Sequence, residues 1–191
     1  MYPGQDEGTL VYEAARALRI SPSEIRTLQI ARRSVDARKK PDVRIIYTVD
    51  VTLKSGEGKV LKKCGNKRVA SAPVQGYRPP KFRPGGEKRP VVIGFGPAGI
   101  FAALILSMAG QRPIVLERGE DAGTRHKKVD AFWNTGALDS RSNVQFGEGG
   151  AGTFSDGKLN TGVNNPRIQW ILQQFVSAGA QEDILYDAKP H

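Results

Sequence analysis

Apolar positions in the first third of the chain change from a helical to an extended period. Between residues 7 and 19 they form one stripe at helical spacing, which predicts an amphipathic helix with Leu10, Val11, Ala14, Ala15 and Leu18 on its buried side. From residue 43 they alternate with polar residues, which predicts a half-buried strand whose inner face carries Val43, Ile45, Tyr47, Val49, Val51 and Leu53. The two patterns indicate a small α+β unit with an antiparallel sheet.

Short polar signals separate these elements. Ser21, Pro22 and Glu24 have the spacing of a helix start, because serine can cap, proline suits the first helical position and glutamate can bond back to the cap amide. The helix must be short, since residues 27–30 favour an extended conformation. Residues 55–58, with the sequence Ser-Gly-Glu-Gly, predict a turn after the second extended segment. We assign residues 1–71 to this first domain.

Proline and glycine dominate residues 72–89. Repeated proline removes backbone donors and fixes φ, so neither a helix nor a central strand can pass through this segment. The residues concerned are Pro73, Pro79, Pro80, Pro84, Gly76, Gly85 and Gly86. We predict a linker here and a second domain over residues 90–191.

The second domain opens with residues 91–110, which include no charged side chain. An apolar stretch of this length could span a membrane, but its glycines and proline would break the first third of such a helix. The same residues suit a buried strand, a tight turn and a helix over 100–109 that ends at Gly110. Because residues 113–116 read as a second buried strand, we predict a βαβ unit with parallel strands.

The turn between the first strand and the helix, residues 94–99, is termed the first glycine loop. Gly94 permits the tight turn, Gly96 leaves room for a pyrophosphate and Gly99 allows close helix–strand packing. Amides at the helix N-terminus favour phosphate charge. Glu117 ends the second strand, where a carboxylate can accept hydrogen bonds from ribose hydroxyls. This spacing predicts a dinucleotide site and favours FAD or NAD over NADP.

Five glycines lie within residues 147–157, a segment termed the second glycine loop. This composition disfavours helix and strand and predicts a loop whose amides approach a ligand closely. Thr153, Ser155 and Lys158 supply donors at or beside it, and Asp156 could bond a ribityl or ring position. The segment does not match the spacing of a P-loop.

Charge is concentrated in the first part of the chain. The net charge is +10, of which residues 1–89 carry +11 and the remainder −1. Such a basic half can indicate nucleic acid, anionic lipid or an acidic protein surface, but no aromatic RNA-binding motif, zinc-finger spacing or helix-turn-helix pattern accompanies it. We therefore favour a solvated surface and do not expect nucleic-acid binding.

The small number of cysteines and histidines limits the kinds of site that the chain can form. Cys64 is the single cysteine, and His126 and His191 are the two histidines. They exclude a disulfide framework and disfavour a metal site, so no metal is predicted. No secretory signal opens the chain, and we expect a cytoplasmic protein without a membrane span.

Two further helices complete the sequence-based assignment. One begins near Arg125, which we place on a solvated helix face, with contact to a cofactor phosphate as the alternative. The last begins at Asn165-Pro166, ends near Gly179 and buries Ile168, Ile171, Leu172, Phe175 and Val176.

Four segments together resemble one bacterial family. They are residues 32–40 (RRSVDARKK), the first glycine loop, residues 147–159 and the terminal residues 188–191 (AKPH). These are similar to the FAD-dependent, or NAD(FAD)-utilising, dehydrogenases, in which a ferredoxin-like domain precedes the FAD domain. The resemblance implies an α/β protein with a ferredoxin-like α+β domain followed by an incomplete Rossmann-type FAD-binding domain. Family members continue well beyond this length, so the chain is expected to be a fragment.

The resemblance also implies an FAD-dependent oxidoreductase, with NAD(P)H as a possible electron donor and an unknown substrate. The implied cofactor-binding residues are Gly94, Gly96, Pro97, Ala98, Gly99, Glu117, Arg118, Gly149, Gly150, Gly152, Ser155, Asp156 and Lys158. No catalytic side chain is predicted, since the flavin itself carries the electron transfer. Two alternatives stay open: an NAD-binding dehydrogenase without flavin, and a basic nucleic-acid- or anion-binding module with a non-catalytic dinucleotide domain.

Overall fold

The computed structural model describes residues 1–72, 76–81, 88–159 and 161–190, which fold as a mixed α/β chain with small sheets. The residues divide into two compact units, Met1–Tyr77 with Leu159–His191, and Arg78–Lys158. Part of the predicted linker, namely Pro73, Pro84, Gly85 and Gly86, and also His191, lies outside the described residues.

The first helix of unit 1 confirms the predicted amphipathic stripe. A 3-10 turn at Glu7–Thr9 leads into helix α1, Leu10–Leu18, which buries Leu10, Ala14 and Ala15. The predicted start signal at Ser21 is also confirmed, since its side chain accepts from the Ser23 amide and Glu24 bonds back to the Ser21 amide. The helix it starts is a single 3-10 turn, Pro22–Glu24, before the chain becomes extended.

A long antiparallel hairpin forms the sheet of unit 1. Strand β1, Ile25–Lys39, pairs with strand β2, Asp42–Leu53, and irregularities interrupt the register of β1 at three places. The predicted alternation along β2 is confirmed, because its odd-numbered residues from 43 to 53 are buried or half-buried, while Ile46, Thr48, Asp50 and Thr52 are exposed. The turn predicted over residues 55–58 is wrong in its second half, because helix α2, Glu57–Cys64, begins there.

The C-terminal residues of the chain belong to unit 1 by their contacts. Helix α5, Arg167–Ser177, confirms the predicted last helix and buries Trp170 and Leu172. A 3-10 turn follows at Glu182–Leu185. The sequence pattern assigns these residues to the second domain, whereas the contacts group them with the hairpin. The division of the chain into domains stays a prediction.

Arg33 joins the hairpin to this C-terminal segment. Its Nε and Nη2 donate to the two carboxylate oxygens of Asp187 at 2.6 and 2.8 Å. The Arg33 amide donates to Tyr186 O, and the Ala188 amide donates to Arg33 O. The Arg33 guanidinium also lies within 3.6 Å of Asp183 and 3.5 Å of Glu7. We term this group the Arg33 cluster.

Unit 2 contains the predicted βαβ arrangement. Strand β3, Val91–Ile93, pairs in parallel with strand β4, Ile114–Leu116, and helix α3, Pro97–Met108, connects them. Helix α4, Ala122–Thr135, follows, with the Asp121 carboxylate accepting from two amides of its first turn. No helix in the described stretches has both the length and the apolar character needed to cross a membrane.

The expectation that both strands of this unit are buried is wrong for one face. Val91, Ile93 and Leu116 are 54%, 85% and 53% exposed. Because side chains alternate along a strand, these residues share a face, whereas Val92 lies on the other face, where its Cγ1 is 3.5 Å from a Cβ built on Gly99 of α3. A helix on one side of a two-stranded sheet covers one face only.

Candidate functional site

The first glycine loop has the backbone geometry that its glycines allow. Gly94 adopts φ +92° and donates its N–H to Leu116 O at 2.7 Å, which ties the loop to β4. A Cβ on Gly99 would lie 2.0 Å from Gly94 O, so only glycine permits α3 to pack this close to the loop. Gly96 is the N-cap residue of α3, and Pro97 and Ala98 form the beginning of the first turn. The first N–H groups of a helix have no acceptor within the helix itself, and the helix dipole adds positive character at this end.

The second glycine loop packs directly on the first. The Gly149 N–H donates to Phe95 O at 2.9 Å. A Cβ on Gly150 would lie 3.0 Å from Gly96 Cα and 3.2 Å from Pro97 Cδ, and both Gly149 and Gly150 have positive φ. The structure thus brings together two glycine-rich segments that lie about fifty residues apart in the sequence. Residues Gly150–Phe154 form a 3-10 turn within a segment whose composition predicts an irregular loop.

Glu117 binds the backbone of the first glycine loop. Its Oε2 accepts from the Phe95 amide at 2.7 Å and its Oε1 from the Gly119 amide at 2.9 Å. These bonds, that from Gly119 most strongly, lower the pKa of Glu117 below its ordinary value, and partial burial opposes them. The carboxylate is therefore held ionised beside the loop. Its contact with a ribose stays a prediction.

Arg118 stacks on an aromatic ring that the sequence interpretation did not include. Its Cζ lies 3.6 Å from the centroid of the Phe146 ring. A guanidinium over an aromatic face is an attractive arrangement, and it holds Arg118 beside Glu117 and next to the start of the second glycine loop. Phe146 is 39% exposed, so the stack reaches the surface.

Arg125 is completely buried, so its placement on a solvated helix face is wrong. The guanidinium donates to three carbonyls, from Nε to Asn143 O at 2.7 Å, from Nη2 to Val144 O at 2.7 Å and from Nη1 to Glu148 O at 2.5 Å. We term this arrangement the Arg125 cage. Burial lowers the pKa of Arg125 below its ordinary value. No acceptor of this kind is visible in a sequence, because every residue has a carbonyl, and this is why sequence reasoning missed it.

Residues beyond the 3-10 turn are exposed and bond locally. The Gly157 amide donates to Ser155 Oγ at 3.3 Å, and the Lys158 ammonium pairs with the Asp156 carboxylate at 2.5 Å. A Cβ on Gly152 would meet no atom within 4 Å, so space is open at that position. Of the predicted site residues, those in the first loop, Glu117, Gly149 and Gly150 therefore meet around one point, whereas Ser155, Asp156 and Lys158 form a separate exposed turn.

Comparison with known proteins yields matches without an assigned function. Residues 2–52 match the sequence model of a family described as a domain of unknown function (DUF8436). A protein of Clostridium beijerinckii (strain ATCC 51743 / NCIMB 8052), described as an uncharacterized protein, is 43% identical to this chain over 189 residues. The alignment covers 97% of this chain and 35% of that protein, so the chain spans about a third of the length of the relative it matches. The alignment includes residues of both units.

Proposed function

We propose that unit 2 binds FAD where its two glycine loops meet and that the chain is part of an FAD-dependent oxidoreductase. The observation that carries this proposal is the direct packing of the loops, Gly149 N–H on Phe95 O and Gly150 against Gly96. A strand, a glycine turn and a helix N-terminus suit a pyrophosphate. The second loop adds open space at Gly152, where a Cβ would meet no atom within 4 Å, and this space suits close approach by a large planar cofactor.

The proposal also assigns a fold to each unit and a cellular location to the protein. Unit 2 would be the N-terminal part of a Rossmann-type FAD domain, and the α+β unit would be ferredoxin-like. The resemblance to the NAD(FAD)-utilising dehydrogenases supports both assignments, and a cytoplasmic location accords with it. The flavin would supply hydride and electron transfer, while residues of this chain bind and orient it.

The first glycine loop would receive the pyrophosphate. Gly96, at the start of α3, carries no side chain that could keep a phosphate from the helix amides. The Glu117 carboxylate holds the loop through the Phe95 amide and would also meet the ribose at the end of β4. The unphosphorylated ribose of FAD or NAD suits a carboxylate, because a 2′-phosphate would place two negative charges together.

Substitution of Gly96 by alanine tests the proposal cleanly. A Cβ at this position meets only Gly150 Cα, at 3.7 Å, which is ordinary van der Waals contact, and Gly96 has φ −80°. The fold should therefore tolerate alanine, whereas a ligand that lies against the backbone loses its space. We expect wild-type protein to bind FAD and to show flavin absorption, and Gly96→Ala to weaken binding by about tenfold or more, which corresponds to about 1.4 kcal/mol.

The matched control is Gly162→Ala, where a Cβ meets nothing within 4 Å and φ is not positive. It should bind FAD as the wild type does. Full FAD affinity in Gly96→Ala, or a wild-type protein that neither retains nor takes up FAD, would contradict the proposal. Titration with NAD in place of FAD separates the flavoprotein from an NAD-binding protein without flavin.

A further inference from the structure

We propose that Arg125 is a positioning residue that fixes the second glycine loop in the conformation that places Gly150 against Gly96. This role rests on the proposed function, because it concerns the same site. Arg125 itself is fully buried, and in the described part of the chain its hydrogen-bond acceptors are backbone carbonyls and the Thr153 hydroxyl. A buried guanidinium in such surroundings is costly to retain unless its geometry is required.

The geometry of the Arg125 cage accounts for that requirement. Two of its carbonyls, of Asn143 and Val144, precede the loop, and the third, of Glu148, lies within it. The guanidinium is a planar fork with donors in fixed directions, so binding all three carbonyls at once determines their relative positions. A lysine ammonium at the end of a flexible stem cannot reproduce this arrangement.

The loop is shaped to accept this side chain. Gly147 adopts φ +124°, and a Cβ there would lie 2.5 Å from Arg125 Cδ. On the far side of the loop, Thr153 Oγ1 accepts from Arg125 Nη1 at 3.3 Å and donates to Glu148 O at 3.0 Å. The Phe154 ring lies below the guanidinium, with 4.9 Å between its centroid and Cζ. One side chain therefore holds the segment at its beginning, at its middle and at its end.

The test compares wild type with Arg125→Lys and two control variants of helix α4. Lys127→Met removes an exposed cation from the same helix, and Val129→Ala creates a small cavity at a residue that is 1% exposed. FAD affinity is measured by fluorescence titration. Hydrogen exchange of peptides covering residues 143–158 reports the order of the loop without any ligand, and thermal unfolding reports overall stability.

We expect Arg125→Lys to weaken FAD binding by about tenfold or more and to accelerate exchange in the loop, because several hydrogen bonds from a charged donor are lost. Val129→Ala should lower the melting temperature but leave FAD affinity within about twofold, since a loss of core volume affects stability. Lys127→Met should change neither.

Several results would overturn the inference. They are unchanged FAD affinity in a folded Arg125→Lys protein, unchanged loop exchange, or an equal loss of affinity in Val129→Ala, which would attribute the effect to stability. If the wild type binds neither FAD nor NAD, the proposed function fails and Arg125 has no cofactor site to position. The exchange comparison then still decides whether Arg125 orders the loop.

Discussion

Each unit of this protein includes an arginine that bonds several groups, and these two arginines use opposite kinds of partner. The Arg33 side chain is 30% exposed and faces carboxylates, those of Asp187, Asp183 and Glu7. The Asp187 hydrogen bonds raise the pKa of Arg33 above its ordinary range. Arg125 is not exposed at all and bonds carbonyls, and burial lowers its pKa. The first pairs charge with charge near water, and the second pairs a charge with dipoles away from water.

This difference separates attachment from shaping. A carboxylate attracts a cation over a range of geometries. When one partner of an exposed ion pair is lost, water solvates the other at small cost. A planar guanidinium that binds three carbonyls fixes the directions of those carbonyls. Water cannot easily take the place of the guanidinium in a buried position. We therefore interpret the Arg33 cluster as an attachment of the C-terminal segment to the hairpin, and the Arg125 cage as the determinant of loop shape.

The largest expected effect is that of Arg125→Met. The carbonyls of Asn143 and Val144 lose their donor, while Glu148 O keeps the hydrogen bond from Thr153 Oγ1. Each unsatisfied group costs about 1–3 kcal/mol, so unit 2 should lose at least about 2 kcal/mol. Hydrogen exchange of peptides from residues 88–158 measures this loss, and peptides from the hairpin serve as the internal control. Wild-type protection throughout unit 2 would show that the Arg125 cage contributes little to its stability.

Arg33→Met should cost less, about 1 kcal/mol, because its ion pairs are partly exposed. The loss should concentrate in residues 182–190, whose link to β1 depends on Arg33 and Asp187, and should appear there as faster exchange. Asp187→Asn removes the negative charge from the same ion pair and should give a similar result. A loss from Arg33→Met as large as that from Arg125→Met would remove the distinction between attachment and shaping.

The pH dependence of stability provides a third comparison, through the carboxylate of Asp139 in unit 2. The Lys128 ammonium, 2.7 Å from Asp139 Oδ2, lowers the pKa of Asp139 to about 2. Because the folded-state pKa is depressed, this stabilisation is complete above the unfolded-state pKa near 3.8 and is lost as the pH falls towards 2. The Asp139→Asn variant should show a smaller decrease in stability between pH 4 and 2 in unfolding experiments. An equal decrease in the two proteins would mean that Asp139 does not bind Lys128 in solution.

Salt should produce the smallest effect and should distinguish the two arginines. Raising the ionic strength to 1 M shortens the screening length to about 3 Å, which weakens exposed ion pairs and leaves buried hydrogen bonds nearly unchanged. Exchange of residues 182–190 should therefore accelerate modestly, while that of residues 143–154 should not. Equal acceleration in both segments would place the Arg125 cage in contact with solvent.

Local patterns predicted most of the secondary structure. The stripe of α1, the alternation of β2, the Ser21 cap and the glycine turn between β3 and α3 each depend on neighbouring residues, and each is present in the structure. The patterns missed α2, because Glu57 and Gly58 also suit a turn. They overestimated the burial of β3 and β4, because burial depends on what covers a sheet and not on the composition of its strands.

The candidate site was predictable only in part, for the same physical reason. Glycines at Gly94, Gly96 and Gly99 are needed for backbone geometry, so their spacing is visible in the sequence. The packing of Gly150 on Gly96 is a tertiary contact without a local pattern. Arg125 looked like one of several cations at the start of a helix, because its partners are carbonyls, which no residue type signals.

The attachment between Arg33 and Asp187 also affects the order in which the two units can fold during synthesis. The two residues are 154 positions apart, and all of unit 2 is encoded between them. At a translation rate of about 5–20 residues per second, Asp187 is synthesised about 8–30 s after Arg33. Throughout this interval the nascent hairpin lacks its C-terminal partner, whereas the last residue of unit 2, Lys158, is joined to the chain before Asp187 is. Unit 2, although second in the sequence, is therefore the first to have all its residues available for folding.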